Sequence, residues 1–223
     1  MSFWRKVAAV TWKDTLAEMR TKEIISAVLA FTLLVIVIFN FAFGTSQEVV
    51  KLVASGMLWV TFAFAGVLSL NRAFIMEKEE GCLEGLMVAP ISREAIYVGK
   101  MLGSLLFMLI IEAIALPVFA FFFNLNVFSF QLVVTTILTT IGFVGVGTLF
   151  SALAVNTKAR EIVLPILFLP VVVPIIISAV QASSLALAGE SWSGIASWLQ
   201  IIVAFDVIFL VVSFLVFAFI IEE

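Results

Sequence analysis

The chain has 223 residues, of which 64% are apolar and 12% are charged, whereas soluble domains are about half apolar and about a quarter charged. Mean hydropathy is +1.27, and several uncharged runs are long enough to cross a bilayer as helices. Composition therefore predicts an integral membrane protein. With no His and the single Cys82, the sequence excludes His-ligated zinc or haem, Ser-His-Asp triads and an internal disulfide.

The first 22 residues combine seven charged side chains with an apolar stripe at spacings of three to four. The stripe consists of Trp4, Ala8, Trp12, Leu16 and Met19. This pattern predicts an amphipathic helix that lies in the membrane interface. No small-residue cleavage site follows it, so we expect a retained helix rather than a signal peptide.

Six apolar segments follow the N-terminal helix. The uncharged stretch 113–157 is too long for one crossing and is expected to divide at 124–126. Continuously apolar runs exclude an alternating β-barrel pattern. The predicted fold class is therefore an all-α integral membrane protein with six transmembrane helices and one domain over 1–223. The predicted spans are 24–43, 52–71, 101–123, 127–156, 162–182 and 198–221.

Basic residues are distributed unequally between the two faces of this arrangement. Eleven of the twelve Lys and Arg residues fall on one face, and Lys51 alone falls on the other. By the positive-inside rule, we predict that the face with eleven basic residues is cytoplasmic and that both termini lie on it. The longest outer connection, 183–197, is expected to be a loop or a small interfacial helix.

The connection over 72–100 lies on the predicted cytoplasmic face and is rich in charge. Cys82, Leu83, Leu86 and Met87 form an apolar stripe, and acidic residues at 77, 79, 80 and 84 supply the polar side. This pattern indicates a short amphipathic helix that fits a partner's groove, and a solvated charged loop is the alternative. Pro90 ends the helix, and Ser92 is expected to cap the next one, which continues through Lys100 into the third span.

This connection resembles the cytoplasmic coupling segment of ABC-transporter membrane subunits of the drug and polysaccharide exporter branch. The shared pattern is an acidic cluster, Gly81, a small residue, Leu83-Glu84, Leu86, Pro90, Ser92 and a final Gly99-Lys100. Cys82 stands where the pattern has Thr or Ser. The resemblance implies an exporter permease-like fold and contacts with an ATPase through Glu79, Glu80, Leu83, Glu84, Leu86 and Met87.

Further features narrow the resemblance to the CcmB family. They are the total length, six spans, the Ser-Gly-Met-Leu-Trp-Val run at 55–60, the Leu-Asn-Arg run at 70–72, and the Leu-Pro-Val-Val-Val-Pro run at 169–174. The family is the membrane subunit of the ABC system for cytochrome c biogenesis in the bacterial inner membrane. The resemblance implies a multi-pass subunit that couples hydrolysis by a partner ATPase to release of a haem-loaded periplasmic chaperone.

The same resemblance implies the partners. They are two copies of an ABC ATPase beneath a homodimer of this chain, a haem-handling membrane subunit, a small single-helix subunit and the periplasmic haem chaperone. No cofactor or metal is expected on this chain, because ATP is bound and haem is handled by partner subunits. Membrane lipid is the other expected contact, and nucleic acid is not. Gly99-Lys100 precedes Met101 and has no upstream glycine at P-loop spacing, so the chain is not expected to be an enzyme.

Two alternatives remain open. One is a permease for a lipid, drug or polysaccharide, which would share the coupling segment. The other is a non-conducting membrane scaffold that holds a haem-handling partner near an ATPase.

Two carboxylates fall inside the predicted spans. Glu112 lies near the middle of the third span and Asp206 in the sixth. A buried charge is costly in lipid, so such residues are candidates for a transport or proton role, with neutral hydrogen-bonded structural roles as the alternative. The small residues Gly142, Gly145, Gly147 and Ser151, and the Gly99/Gly103 pair, predict close helix packing, within the subunit or at a dimer seam. Pro165, Pro170 and Pro174 predict bending of the fifth span.

Overall fold

A computed structural model describes residues 2–43, 46–73, 85, 89, 91–155 and 160–220. These residues form seven α-helices. In chain order they are α1 (Phe3–Thr21), α2 (Glu23–Phe43), α3 (Gln47–Ala73), α4 (Arg93–Phe123), α5 (Phe130–Val155), α6 (Arg160–Leu187) and α7 (Trp192–Ile220).

Six of these helices, α2 to α7, are long and apolar enough to cross a membrane. The predicted all-α membrane fold and the number of spans are therefore confirmed. Asn124, in the left-handed region at φ 51°, follows the last residue of α4, and its N–H bonds to the carbonyl of Ala120. The long uncharged stretch is thus divided at the expected place.

The last two spans are longer than predicted. Residues 183–187 continue α6 and residues 192–197 begin α7, so the turn between these helices occupies only 188–191. The expectation of a loop or a separate small helix over 183–197 is wrong. Ala182, Ser183 and Ala186 are buried, and their small side chains let α6 continue against its neighbours.

Helix α1 ends where Lys22 adopts the left-handed conformation, with its N–H bonded to the Glu18 carbonyl. Val7 and Val10 are buried, and this side of α1 packs on α4. Trp4 and Trp12, which belong to the predicted interfacial stripe, are 70% and 68% exposed. The exposed stripe leaves aromatic surface free for an apolar or interfacial environment. That α1 lies in the membrane interface stays a prediction.

Helix α5 packs against α3, α4, α6 and α7, and glycine allows close contact at three of these interfaces. A side chain at Gly142 would meet Asp206 of α7 and Ile175 of α6. One at Gly145 would meet Leu210, and one at Gly147 would meet Leu70. The predicted close packing of these small residues is therefore within the subunit.

Helix α6 runs without interruption through three prolines, at 165, 170 and 174. Ser178 donates its hydroxyl proton to the carbonyl of Pro174. On the α3 side, Trp59 Nε1 donates to Ser183 Oγ at 2.8 Å in the buried interior. Proline therefore does not end this helix, and a polar contact fixes its position against α3.

Candidate functional site

The predicted coupling residues Glu79, Glu80, Leu83, Glu84, Leu86 and Met87 lie outside the described residues. The structure describes both flanks of this connection, at the end of α3 and the start of α4. Ser92 occupies the N-cap position of α4 with an extended backbone, and Glu94 lies in the first turn. The predicted helix start is therefore confirmed, but the Ser92 side chain makes no capping hydrogen bond.

The start of α4 is held by α1 through a contact that we call the α1–α4 clamp, formed by Val10, Thr11, Asp14, Gly99 and Lys100. Thr11 Oγ1 lies 2.9 Å from the carbonyl oxygen of Gly99, and the Gly99 backbone comes so close to Val10 that a Cβ there would lie 2.6 Å from Val10 Cβ. Lys100 Nζ lies 3.4 Å from Asp14 Oδ2. The clamp fixes α1 next to the helix that follows the predicted coupling connection.

Lys100 lies within the helix that starts after Ser92, as predicted, but it is only 2% exposed although it belongs to a charged connection. It belongs to α4, one turn before Gly103, which faces Asp14. The glycine pair leaves room for α1, and α1 then covers the lysine. A buried ammonium requires a charged partner, and Asp14 supplies one.

Glu112 lies in the interior of the bundle and is 2% exposed. Its Oε1 lies 2.6 Å from the hydroxyl oxygen of Thr140 on α5. The same hydroxyl lies 2.8 Å from the carbonyl oxygen of Thr136. Glu112 Oε2 has no hydrogen-bond partner among the described residues. The third predicted span thus contacts the fourth through a carboxyl group.

A small cavity of about 10 Å³ adjoins this contact. Glu112 and Thr140 are its polar lining residues, and the rest of the lining is apolar. The apolar members are Trp59, Phe62, Ala63, Met108, Phe143 and Ile176. A space of this size accommodates at most one water molecule, so it cannot hold an organic ligand.

Asp206 lies on α7 and is 6% exposed. Its Oδ1 lies against the backbone of Gly142, where any larger side chain would collide with it. This oxygen has no hydrogen-bond partner within the described part of the chain. The glycine therefore provides the space that the carboxyl group occupies between α5 and α7.

The structure does not bring the two intramembrane acids together. Glu112 contacts α5 at Thr140, and Asp206 contacts α5 at Gly142. Positions two apart on a helix point about 200° from each other, so the acids lie on nearly opposite sides of α5. They form two separate sites rather than a carboxyl pair.

Sequence reasoning missed the partners of these groups. Thr140 belongs to a run of buried threonines at 135, 136, 139 and 140, and a cluster of hydroxyls in an apolar span is the signal that could have indicated a polar contact. For Lys100, the signal was the flanking Gly99/Gly103 pair. Three or more His, Cys, Asp or Glu residues grouped as for a metal are not found among the residues that the structure describes.

Comparison with known proteins gives a consistent result. The family model described as CcmB protein matches residues 5–222. "Heme exporter protein B" of Rhodobacter capsulatus is 35% identical over 150 residues, covering 67% of this chain and 69% of that protein. Proteins of the same name from Pseudomonas aeruginosa and Escherichia coli K12 are 28% identical over 182 residues and 29% identical over 189 residues. The alignments cover 79% and 83% of both partners, respectively.

Proposed function

The chain belongs to the CcmB family, and from that premise we propose that it is the membrane subunit of a haem-exporting ABC transporter in the bacterial inner membrane. The match of the family model over residues 5–222 is the observation that carries the proposal. The name of the relatives, "Heme exporter protein B", indicates that the cargo is haem. Six helices able to cross a membrane suit a multi-pass permease.

The ATPase activity belongs to a partner subunit. The sequence has no P-loop: the only Gly-Lys pair, Gly99-Lys100, is followed by Met101, and a P-loop needs Ser or Thr there to ligate the metal of the nucleotide. We expect two ATPase copies beneath a dimer of this chain, with both termini on the ATPase side.

Coupling to the ATPase is assigned to residues 77–90. The acidic and apolar pattern of this segment suits an amphipathic helix in a partner's groove. The α1–α4 clamp supports this role, because it fixes the start of α4 to a second helix directly after the segment. A displacement of the segment would then move α1 and α4 together rather than bend α4 alone.

We further propose that hydrolysis serves release of a haem-loaded periplasmic chaperone from a haem-handling membrane subunit, as part of cytochrome c biogenesis. A role that does not pass haem beside Glu112 is supported by the small cavity there, which has a volume of about 10 Å³, whereas pockets for organic ligands are typically several hundred Å³. A small single-helix subunit completes the expected complex.

The coupling assignment is tested by charge reversal at two acidic positions, Glu80→Lys with Glu84→Lys. The expected result is loss of ATPase co-purification and of holo-cytochrome c, with a normal amount of the chain in the membrane. Glu190→Lys is the control, because Glu190 is exposed in the turn between α6 and α7, on the predicted opposite side. If the double variant still binds the ATPase and supports cytochrome maturation, the assignment is wrong.

The first alternative differs in the cargo, and the second differs in whether ATP hydrolysis is needed. A permease for a lipid, drug or polysaccharide would leave c-type cytochromes intact when the chain is lost. A passive scaffold would keep the partner subunits assembled, and cytochrome maturation would continue with an ATPase that binds but does not hydrolyse ATP.

A further inference from the structure

The Thr140 hydroxyl lies between two acceptors, the Glu112 carboxyl and the Thr136 carbonyl, if the acid is ionised. The Thr140 hydroxyl carries one proton, yet its oxygen lies 2.6 Å from Glu112 Oε1 and 2.8 Å from the Thr136 carbonyl oxygen. Both distances are in the range of O–H···O hydrogen bonds. With an ionised acid the single hydroxyl proton would be shared between two acceptors, whereas a carboxylic acid at Glu112 supplies a second proton, so that each contact has its own.

The surroundings give an independent reason. Glu112 is 2% exposed and Thr140 is 1% exposed. The side chains that line the small cavity beside the carboxyl group come from α3, α4, α5 and α6, and apart from Thr140 and the indole N–H of Trp59, which donates to Ser183, they are apolar: Trp59, Phe62, Ala63, Met108, Phe143 and Ile176. An ionised carboxylate in such a place needs a cation or a hydration shell. Among the described residues the lining offers no charged partner for Glu112, and about 10 Å³ is too small for a hydration shell.

We propose that Glu112 binds a proton inside the third span and, as a neutral acid, donates it to Thr140 Oγ1. Thr140 then donates its own proton to the Thr136 carbonyl oxygen. The hydrogen-bonded chain Glu112–Thr140–Thr136 links α4 to α5 through this bound proton.

Removal of the proton would change both bonds. A carboxylate at Glu112 accepts only, so Thr140 would have to share its single proton between Thr136 and Glu112 or turn it to Glu112. The carbonyl of Thr136 would keep its helical partner, and the carboxylate would remain with one hydrogen bond in an apolar cavity. The proton therefore stabilises the present packing of α4 on α5.

Infrared spectroscopy of the full chain in lipid nanodiscs tests this proposal directly. The chain is made by cell-free synthesis with glutamate carrying ¹³C at the side-chain carboxyl, and spectra of labelled and unlabelled protein are compared at neutral pH. Only Glu bands shift with the label, so Asp206 does not contribute. The variants are Glu112→Gln, Thr140→Val, which preserves shape and removes the acceptor, and Asp206→Asn as the control.

The expected result is a label-sensitive carbonyl band of a protonated carboxylic acid in the wild type. The band is retained in Asp206→Asn, lost in Glu112→Gln and shifted to higher frequency in Thr140→Val, because a hydrogen bond from the acid is lost. The proposal is overturned if the wild type has carboxylate bands only, if the band persists in Glu112→Gln, or if Thr140→Val leaves its frequency unchanged. The wild-type and Thr140→Val spectra decide the matter if Glu112→Gln does not fold.

Discussion

Lys100 Nζ of α4 lies 3.4 Å from Asp14 Oδ2 of α1, and the lysine side chain is only 1% exposed. The same carboxylate lies 3.2 Å from Lys13 Nζ, whose side chain is 44% exposed. Asp14 thus contacts two cations, one covered by protein and one open to the surroundings. The covered pair joins the N-terminal helix to the third span.

Replacing Asp14 should show which of these pairs matters. Removing one partner of a buried ion pair typically costs about 3–5 kcal/mol, and because Asp14 is 22% exposed we expect about 1–3 kcal/mol for Asp14→Asn. Lys13→Gln is the control and should cost less than about 0.5 kcal/mol. Thermal unfolding of the purified chain in detergent measures both, and equal melting temperatures for the two variants would contradict a structural role for the covered pair.

Gly99 is expected to control the docking of α1. A methyl group at this position would lie 2.6 and 2.8 Å from Val10 side-chain atoms and 3.1 Å from the Val7 carbonyl oxygen, so Gly99→Ala should force α1 away from α4. Gly103→Ala is the matched control, because its methyl group would lie 3.4 Å from Asp14 Cβ, an ordinary contact. Trypsin cleavage within α1 should be faster in Gly99→Ala alone. Similar rates in the two variants would show that α1 does not depend on this close approach.

Gly142 provides the space for Asp206. Gly142→Ala would place a methyl group against Asp206 Oδ1 and 2.8 Å from Ile175 Cδ1, and overpacking of this kind costs about 1–3 kcal/mol. In Gly56→Ala the new methyl group meets nothing within 4 Å in the described part of the chain. Since Ala is the better helix former by about 0.5–1 kcal/mol, Gly56→Ala should be neutral or stabilising. The melting temperature of Gly142→Ala should therefore lie several degrees below that of Gly56→Ala.

The hydrogen bond from Trp59 Nε1 to Ser183 Oγ is suited to a double-mutant cycle. Ser183→Ala leaves a buried indole donor without its acceptor and should cost about 1–3 kcal/mol. Trp59→Phe also removes a ring with many contacts, so the informative quantity is the coupling between the two substitutions. We expect Ser183→Ala to cost much less in the Trp59→Phe background. Additive effects would mean that the bond does not link α3 to α6.

The sequence was sufficient for the fold class because apolar length and charge distribution are local properties. The six spans, the break at Asn124 and the start of α4 at Ser92 all follow from such signals. The end of α6 and the beginning of α7 could not be predicted in this way. Small buried residues such as Ser183 continue a helix through a segment whose composition predicts a loop.

The intramembrane acids illustrate the other limit. The sequence identified Glu112 and Asp206 because charge is rare in a span, but it could not identify Thr140 or Gly142 as their partners. Those contacts depend on how α5 rotates between α4 and α7, which is a property of the packed bundle. The burial of Lys100 was missed for the same reason, because α1 covers it from 86 residues away.

As the proposed membrane subunit of a haem-exporting ABC transporter that serves cytochrome c biogenesis, this chain should be required for haem attachment to c-type cytochromes. Haem staining of covalently attached c-type cytochromes in cells that lack the chain but still express the ATPase partner tests this requirement most directly. We predict loss of every holo-cytochrome c, accumulation of the haem-loaded chaperone, and recovery when the wild-type chain is restored. Normal staining in the deletion strain would contradict the claim and leave an exporter of another substrate.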